Sequence, residues 1–516
     1  MKLDQMRTFG TDETVDVVIV GTGAGGAPLT AELAKKGLRV IAIEAGRHFA
    51  LDDLTPDETE AVEINWMSER LSGGDDPTAF GPNNSGRGVG GSMLHWGAFT
   101  PRPDRRDLAL RTETGEGRDW PIDPDELLSY VERVEGDIGV SGPSPYPWDP
   151  SRRYAYAPAK RNAPANLVAK GCDALGVTWA DAPAAVLTRA RLQDHHGERG
   201  ACVNCGECHQ GCRTDAKAST ANTYLPAAVA AGAEIRAEAM VHAIELDARG
   251  HVAAVVYRQN GVDVRQRCRA LVLAGGGVET PRLLLHTGLA NDNGQVGRNF
   301  LAHGATQVWG RFDEPVRGHR GYPSSLISED MMRPADADFA GGYLVQSLGV
   351  MPLTFSTTLV RGGGLWGTEL MQRLEQSRYM AGIGINAECL PSDDNRLELA
   401  PETDEFGIPR ARVTFTAGAN EKALDAHATA FMLRVMEAAG ARETMVLART
   451  AHTIGTCRMS LDPADGVVDA DGRSHEIPNL WISDNSVFPS AIAANPALTI
   501  MALSLRTADR LLASVA

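Results

Sequence analysis

The chain has 516 residues, of which 43% are hydrophobic and 22% charged, and its formal net charge is −16. This length exceeds the size at which one hydrophobic core stops growing, so at least two domains are expected. The negative charge argues against nucleic acid or an anionic membrane surface as a partner, and no apolar run approaches the ~20 residues of a membrane span. The N-terminal sequence lacks the apolar stretch of a signal peptide, which predicts a cytoplasmic protein unless a partner subunit carries it to the periplasm.

The first predicted element is a dinucleotide-binding βαβ unit. An apolar, β-branched run over 16–20 predicts a buried strand, a helix follows over 27–36, and a second strand over 38–43 ends at Glu44. A G-x-G-x-x-G motif joins the first strand to the helix through Gly21, Gly23 and Gly26. The glycines let the backbone approach a pyrophosphate at the helix N-terminus, and Glu44 lies where an acidic side chain hydrogen-bonds the cofactor ribose. This pattern predicts that the protein binds a dinucleotide.

Later segments indicate a second corner of the same sheet and then a different kind of domain. The apolar run over 270–274 ends in glycines and is followed by a helix starting near residue 280. From about residue 310 the pattern changes, because the segments over 343–346 and 396–399 alternate as strands of an antiparallel sheet do. The segment over 421–439 has helical spacing. A nucleotide-binding domain interrupted by a sheet-based substrate domain is therefore expected.

The C-terminal region holds the most distinctive sequence blocks of the chain. They are HTIGTCRM over 452–459, NLWISD over 479–484 and NPALTIMAL over 495–503. These blocks resemble the end of a glucose–methanol–choline (GMC) oxidoreductase. Four further segments are similar to the family at matching places, namely 21–46, 90–92, 279–282 and 296–299. The likeness spans nearly the whole chain and is least specific in the middle.

The resemblance implies an α/β fold in two parts. A Rossmann-like FAD-binding domain is expected over 1–310 and 446–516, including a cysteine-rich loop over 200–215. An inserted α+β substrate-binding domain built on an antiparallel sheet is expected over 311–445. Residues that line the substrate pocket are expected from about 310–416 and 96–102.

The resemblance also implies bound FAD, the oxidation of an alcohol, and two catalytic residues. His452 would face the flavin and take the hydroxyl proton, and Asn495 would hold the same oxygen. Neutral imidazole has a pKa near ~6.5, which suits a base at neutral pH, and an amide N–H can stabilise a developing alkoxide. The remaining cofactor contacts that the resemblance implies are Gly91, Ser92, His95, Val241, Asp484 and Thr499.

The pair His95 and Trp96 narrows the resemblance further. It is similar to the pair in pyranose 2-oxidases, where the histidine is covalently joined to the flavin methyl group. It also resembles the pair in bacterial sugar dehydrogenase flavoprotein subunits, in which a covalent link cannot be assumed. His95 is therefore expected either to carry the FAD covalently or to pack beside the isoalloxazine ring.

Half of the eight cysteines fall within one short segment. Cys202, Cys205, Cys208 and Cys212 form C-x2-C-x2-C-x3-C, the spacing of a bacterial ferredoxin cluster loop. Arg213 replaces the usual proline, and no second cysteine set exists for a second cluster. A three-iron cluster, a four-iron cluster, a zinc site and a purely structural role for the thiols all remain open.

The leading hypothesis is an FAD-dependent oxidation of an alcohol group of a sugar, glycoside or polyol. Electrons would pass to an external acceptor through the iron–sulfur cluster, with an acceptor protein or small partner subunit involved. The alternative is an oxidase that reduces oxygen to hydrogen peroxide without a cluster. A third hypothesis, a non-catalytic electron-relay subunit, is disfavoured by the intact pair His452 and Asn495, because a relay needs no proton acceptor.

Overall fold

The computed structural model describes residues 3–78, 80, 84–335 and 337–515. Its α-helices are α1 (Ala27–Lys35), α2 (Arg105–Leu108), α3 (Leu110–Thr114), α4 (Pro124–Ile138), α5 (Ala163–Leu175), α6 (Tyr224–Ala230), α7 (Gly276–Thr287), α8 (Pro352–Gly363), α9 (Gly367–Glu375), α10 (Ala419–Ala439) and α11 (Ala497–Val515). Its strands are β1 (Thr14–Val20), β2 (Val40–Ile43), β3 (Leu71–Gly73), β4 (Ala180–Asp181), β5 (Arg191–Gln193), β6 (Gly197–Arg199), β7 (Glu234–Arg236), β8 (Ala239–Leu246), β9 (Val252–Gln259), β10 (Val262–Leu273), β11 (Leu301–Gly304), β12 (Gln307–Arg311), β13 (Leu326–Ser328), β14 (Tyr343–Leu348), β15 (Met380–Ala387), β16 (Arg396–Thr403), β17 (Pro409–Thr414), β18 (Glu443–Leu447), β19 (Thr450–Ile454) and β20 (Leu480–Ile482).

The first sheet has the strand order β7-β2-β1-β10-β9-β8, and β20 also pairs with β10. Strands β7, β2, β1, β10 and β20 run parallel, whereas β9 and β8 extend the sheet as an antiparallel ribbon. Val17, Val18 and Ile19 of β1 are fully buried, as the apolar run predicted. The predicted strand over 270–274 is the end of β10 and lies beside β1, so the prediction of a second corner in the same sheet is confirmed.

The turn from β1 into α1 has no room for a side chain at Gly25 or Gly26. A Cβ atom at Gly26 would lie 1.9 Å from the carbonyl oxygen of Gly21, and one at Gly25 would lie 1.7 Å from the carbonyl oxygen of Ser483. Gly21 has a φ of 107°, which L-residues with side chains rarely adopt. The glycines therefore allow the turn, the helix and the C-terminal segment to pack backbone against backbone.

The second sheet is mainly antiparallel and has the order β18-β12-β15-β14-β13-β4, with β11 pairing with β15 and β19. Helices α5 and α10 pack together and bury an apolar layer against it, including Val308, Ile383 and Phe431. The sheet also includes β4, β11 and β19, which lie outside the predicted interval of 311–445, and β12 and β18, which cross its ends. The predicted strand over 396–399 belongs to a separate sheet, β16-β17-β3, and β16 and β17 of this sheet pack on α7.

The end of the chain returns to the first sheet. Strand β20 pairs with β10, and α11 packs against α1 and α4. This return carries residues 484–500 to the carboxyl ends of β1 and β10, where ligands bind in parallel sheets of this kind. No helix in the described ranges combines the length and the apolar character needed to cross a membrane.

Candidate active site

A cavity of about 580 Å³ runs from the glycine corner of the first sheet to the face of the second sheet. Most of the predicted site residues line it together, namely Gly21, Gly23, Glu44, Gly91, Ser92, His95, Val241, His452, Asp484 and Asn495. Gly26 and Thr499 do not line it: Gly26 lies behind the turn, and the Thr499 hydroxyl is buried without a hydrogen-bond partner among the described residues. The four clustered cysteines also lie outside the lining.

Backbone atoms of closely packed glycines line the nucleotide end of the cavity. Gly23 and Gly91 pack so closely that a Cβ atom on Gly91 would lie 2.7 Å from the Cα atom of Gly23. Helix α1 begins after Gly26 with no side-chain cap on its first N–H groups. These N–H groups and the helix dipole suit an anion, so this end fits the pyrophosphate of a dinucleotide.

Glu44 ties the loops around this end together. One carboxylate oxygen accepts from the Thr22 hydroxyl at 2.8 Å, and the other accepts from the backbone N–H of Gly46 at 3.0 Å. Burial raises the pKa of Glu44, while these donors and the N–H of Gly88 favour the ionised form. Glu44 therefore holds the turn in shape in addition to its expected contact with the cofactor.

Asp484 has a comparable role at the second corner. Its Oδ2 accepts from the N–H of Gly276 at 2.8 Å and from the Thr280 hydroxyl at 2.6 Å, and its Oδ1 accepts from the N–H of Ser486 at 2.8 Å. Burial raises the pKa of this carboxyl. Asp484 joins the returning C-terminal segment to the start of α7 and fixes that segment beside the cavity.

The histidine expected as the base is half of a histidine pair. His452 on β19 and His303 on β11 place their Nδ1 atoms 2.7 Å apart, with the rings at 84° to each other. The Nε2 atom of His303 lies 2.7 Å from the carbonyl oxygen of Ile492 and 3.0 Å from that of Ala491. Two backbone carbonyls can only accept, so His303 Nε2 carries a proton.

This arrangement determines the tautomer of His452. Burial lowers the pKa of His303 to about 4, so it is neutral near pH 7 and its Nδ1 atom is an acceptor. His452 Nδ1 must then donate, which leaves the Nε2 atom of His452 as a free base. Burial, with Arg449 and His303 nearby, also lowers the pKa of His452 well below its ordinary value. The neutral imidazole needed for proton abstraction is thus the stable form.

Asn495 is held by a second asparagine. The Nδ2 group of Asn386 on β15 donates to Asn495 Oδ1 at 3.0 Å. With its oxygen engaged, Asn495 has its amide N–H groups left to donate into the cavity. His303 and Asn386 were both missed from the sequence: a family-like segment at 296–299 precedes His303, but nothing in the local pattern distinguishes Asn386.

His95 lies on the cavity wall with an unpartnered nitrogen. Its side chain is 6% exposed, and its Nε2 atom has no hydrogen-bond partner among the described residues. Burial lowers the pKa of His95 to about 3, so the imidazole is neutral. His209 also lines the cavity, and its Nδ1 atom lies 3.0 Å from the His95 carbonyl oxygen.

The segment around His95 is clamped by a buried lysine. The ammonium group of Lys217 donates to the carbonyl oxygens of Leu94 at 2.8 Å, Trp96 at 3.0 Å and Cys208 at 2.6 Å. Burial lowers the pKa of Lys217 to about 8. Lys217 therefore joins the wall of the cavity to the cysteine-rich loop.

The four thiols of the cysteine-rich loop do not form a site for a single metal ion within the described residues. All four thiols are free, and within the described residues no three His, Cys, Asp or Glu side chains converge as metal ligands would. The thiols of Cys202 and Cys212 instead accept from the backbone N–H groups of Asn204 at 3.4 Å and Lys217 at 3.3 Å. Burial raises the pKa of Cys208 above its ordinary value, which favours the neutral thiol. The neighbouring thiols also raise the pKa of Cys202 and Cys208, so the four lie close together, and the iron–sulfur cluster stays a prediction.

The sequence is similar to that of known oxidoreductases. Family models described as GMC oxidoreductase match residues 75–305 and 391–504. A 2-methyl-1,2-propanediol dehydrogenase of Mycolicibacterium austroafricanum is 29% identical over 97% of this chain and 96% of its own. The fructose dehydrogenase large subunit of Gluconobacter japonicus is 28% identical over 97% and 98%.

Solved structures show the same fold. Pyridoxine 4-oxidase from Mesorbium loti has a TM-score of 0.66 at 16% identity, covering 97% of this chain and 99% of its own. Formate oxidase from Aspergillus oryzae has a TM-score of 0.68 at 15% identity, covering 98% and 99%. The chain belongs to the GMC oxidoreductase family, which confirms the predicted fold class.

The family implies FAD, and the residues present fit this cofactor. The nucleotide part of FAD fits the end of the cavity that is formed by the packed glycines, the uncapped start of α1 and Glu44. The unpartnered nitrogen of His95 lies on the wall of the same cavity. The protein is therefore an FAD-dependent oxidoreductase.

Proposed function

We propose that the protein oxidises an alcohol group of a sugar, glycoside or polyol, with His452 as the base. The observation that carries this proposal is the His303–His452 pair, which leaves a neutral, unprotonated Nε2 atom on His452, a residue that lines the cavity with Asn495. A relay protein has no need of such a base. The alcohol and sugar dehydrogenases among the relatives support the same reaction class.

Bound FAD supplies the hydride acceptor. His452 Nε2 takes the proton of the substrate hydroxyl, and the positive charge that develops on the ring is stabilised by the hydrogen bond from its Nδ1–H to His303. Asn495 donates an amide N–H to the same oxygen while Asn386 holds its Oδ1. His452, Asn495 and Asn386 line the cavity, whereas His303 supports His452 from a fully buried position outside the lining.

The test of the base is His452→Ala, with His242→Ala as the matched control. His242 lies on β8 and pairs with Asp263 near the surface, outside the cavity. Loss of a general base lowers kcat by about 10²- to 10⁴-fold, while flavin content should stay unchanged in both variants. Turnover of His452→Ala at the rate of the control would refute the role.

We propose that the electrons leave to an external acceptor, and we route no step through the cysteine-rich loop. The four thiols lie near enough to one another to influence each other's pKa but do not form a single-ion site among the described residues, so an iron–sulfur cluster and direct reduction of oxygen are both tested. Iron content and visible spectra of protein purified without air, compared for wild type, Cys205→Ser and Cys172→Ala, decide the point. Iron that disappears only in Cys205→Ser would establish a cluster; peroxide formation by iron-free enzyme establishes the oxidase.

We further propose that His95 Nε2 attaches to the 8α-methyl carbon of the flavin. Formation of this bond would release a methyl proton and leave the flavin reduced by two electrons, which the external acceptor would then remove. The neutral, unpartnered Nε2 atom supports this role. After acid precipitation the yellow colour should stay with wild-type protein and leave His95→Ala. Colour in the wild-type supernatant would mean that His95 only packs beside the ring.

We also propose that residues 1–310 and 446–516 bind FAD and that residues 311–445 bind the substrate. We propose a partner subunit as well, because the fructose dehydrogenase relative is a large subunit. Co-purification of a second polypeptide with the native enzyme would support it, and a fully active single chain would remove it.

A further inference from the structure

Two arginines line the cavity without an acidic partner. They are Arg361, in the last turn of α8, and Arg449, which directly precedes β19. Neither guanidinium makes a salt bridge or a side-chain hydrogen bond to any described residue. Arginine keeps its charge under all ordinary conditions, so two unpaired cations face the cavity.

The other charged side chains of the cavity wall are all paired or hydrogen-bonded. Glu279 bonds both Arg70 at 2.9 Å and Arg282 at 2.8 Å. Glu44 and Asp484 accept hydrogen bonds from the loops that surround them. The two free guanidiniums therefore leave the lining with an excess of positive charge, in a protein whose net charge is −16.

The two arginines belong to one region of the wall. A Cβ atom at Gly362 would lie 3.4 Å from the carbonyl oxygen of Ala448, so the end of α8 packs on the chain just before Arg449. Residues 448–453 line the cavity without a break and include His452. Arg449 lies close enough to His452 to lower the pKa of that imidazole. The positive region is thus beside the proposed base.

This location separates the arginines from the phosphates of the cofactor. The pyrophosphate site is at Gly21, Gly23 and the start of α1, on the first sheet. Arg449 lies between β18 and β19 of the second sheet, on the side where the substrate is expected. The Arg449 and Arg361 side chains are exposed, so both guanidiniums are open to a dissolved anion, and a cleft with an excess of one charge attracts ions of the opposite charge.

We propose that the substrate is an alcohol that carries an oxyanion, a carboxylate or a phosphate monoester, and that Arg449 binds this group with Arg361 beside it. This inference rests on the proposed function and narrows its substrate class. The planar guanidinium can bind either oxyanion through two parallel N–H donors. The anion would anchor the substrate with a hydroxyl directed to His452 Nε2.

The test uses three probes with the same six-carbon chain: D-sorbitol, D-gluconate and sorbitol 6-phosphate. Each is assayed as substrate of the flavin-loaded wild type, Arg449→Met and Arg361→Met, with Arg442→Met as the matched control. Arg442 pairs with Asp313 at the surface and lies outside the cavity. Binding of malonate and of inorganic phosphate is measured in parallel by the perturbation of the flavin spectrum, which does not depend on turnover.

In wild type, kcat/KM for one anionic probe should be at least tenfold above that for sorbitol. Arg449→Met should lose this preference because its KM for the anionic probe rises, whereas Arg442→Met should keep it. Preference for D-gluconate with malonate binding identifies a carboxylate, and preference for sorbitol 6-phosphate with phosphate binding identifies a phosphate ester. Equal use of sorbitol and the anions by every variant would overturn the inference and leave the proposed function intact. An equal loss for all three probes in Arg449→Met would also overturn it, because the arginine would then act on the flavin. Failure of His452→Ala to lose activity refutes the proposed function separately.

Discussion

His303 offers the sharpest perturbation of the proposed chemistry. Its side chain is fully buried and does not line the cavity, so replacing it changes no direct contact with the substrate. In the transition state His452 becomes an imidazolium, and its Nδ1–H then donates to His303 across the 2.7 Å contact. A hydrogen bond from a charged donor contributes about 1.5–3 kcal/mol, and each 1.36 kcal/mol of barrier is a factor of ten in rate. His303→Leu should therefore lower kcat by roughly 10- to 150-fold.

The matched variant is His303→Asn, whose amide oxygen can take the place of the Nδ1 acceptor. It should keep most of kcat, whereas His303→Leu should lose it with little change in KM. Rapid mixing of each flavin-loaded variant with substrate, without air, measures the rate of flavin reduction directly. The reasoning would be refuted if His303→Leu reduced its flavin at the wild-type rate, or if both variants lost the rate equally while remaining folded.

Three further predictions follow from the geometry. Gly23→Ala should fold with normal stability, because the nearest atom to the added Cβ is 3.6 Å away, but it should lose flavin, because Gly23 lines the cavity. Gly26→Ala should unfold, since its Cβ would lie 1.9 Å from a carbonyl oxygen. Urea unfolding and flavin content measure both, and equal behaviour of the two variants would contradict the packing. The value of kcat/KM should stay level as the pH falls to 6.5 and should decrease only at lower pH, because burial lowers the pKa of His452 and activity needs the neutral imidazole. A decrease centred above pH 6.5 would exclude His452 as the base. Lys217→Met should lower the free energy of unfolding by about 3 kcal/mol or more, as three buried carbonyls lose their donor, and an unchanged urea midpoint would argue against the clamp.

Local sequence was enough to predict the nucleotide-binding corner. The run that forms β1, the glycine turn and Glu44 lie within one continuous segment, so period and spacing alone specify their contacts. The resemblance of the C-terminal blocks added His452 and Asn495, and both line the cavity.

The partners of these two residues could not be predicted in the same way. His303 is 149 positions from His452, and Asn386 is 109 positions from Asn495. Their pairing depends on how strands of the second sheet align, which no local pattern encodes. Arg449 is a similar case, because an unpaired arginine is recognised only when its surroundings are known. The cysteine spacing predicted that the four thiols lie together, and the cluster that they would hold stays a prediction.

In the proposed reaction an alcohol passes its proton to His452 as it reduces the bound flavin. The most direct measurement is the anaerobic bleaching of the oxidised flavin band by substrate, followed in wild type, His452→Ala and the control His242→Ala, each with the same flavin content. We expect rapid bleaching in wild type and control and a rate lower by about 10²-fold or more in His452→Ala. Bleaching of all three proteins at one rate would mean that proton removal does not need this histidine.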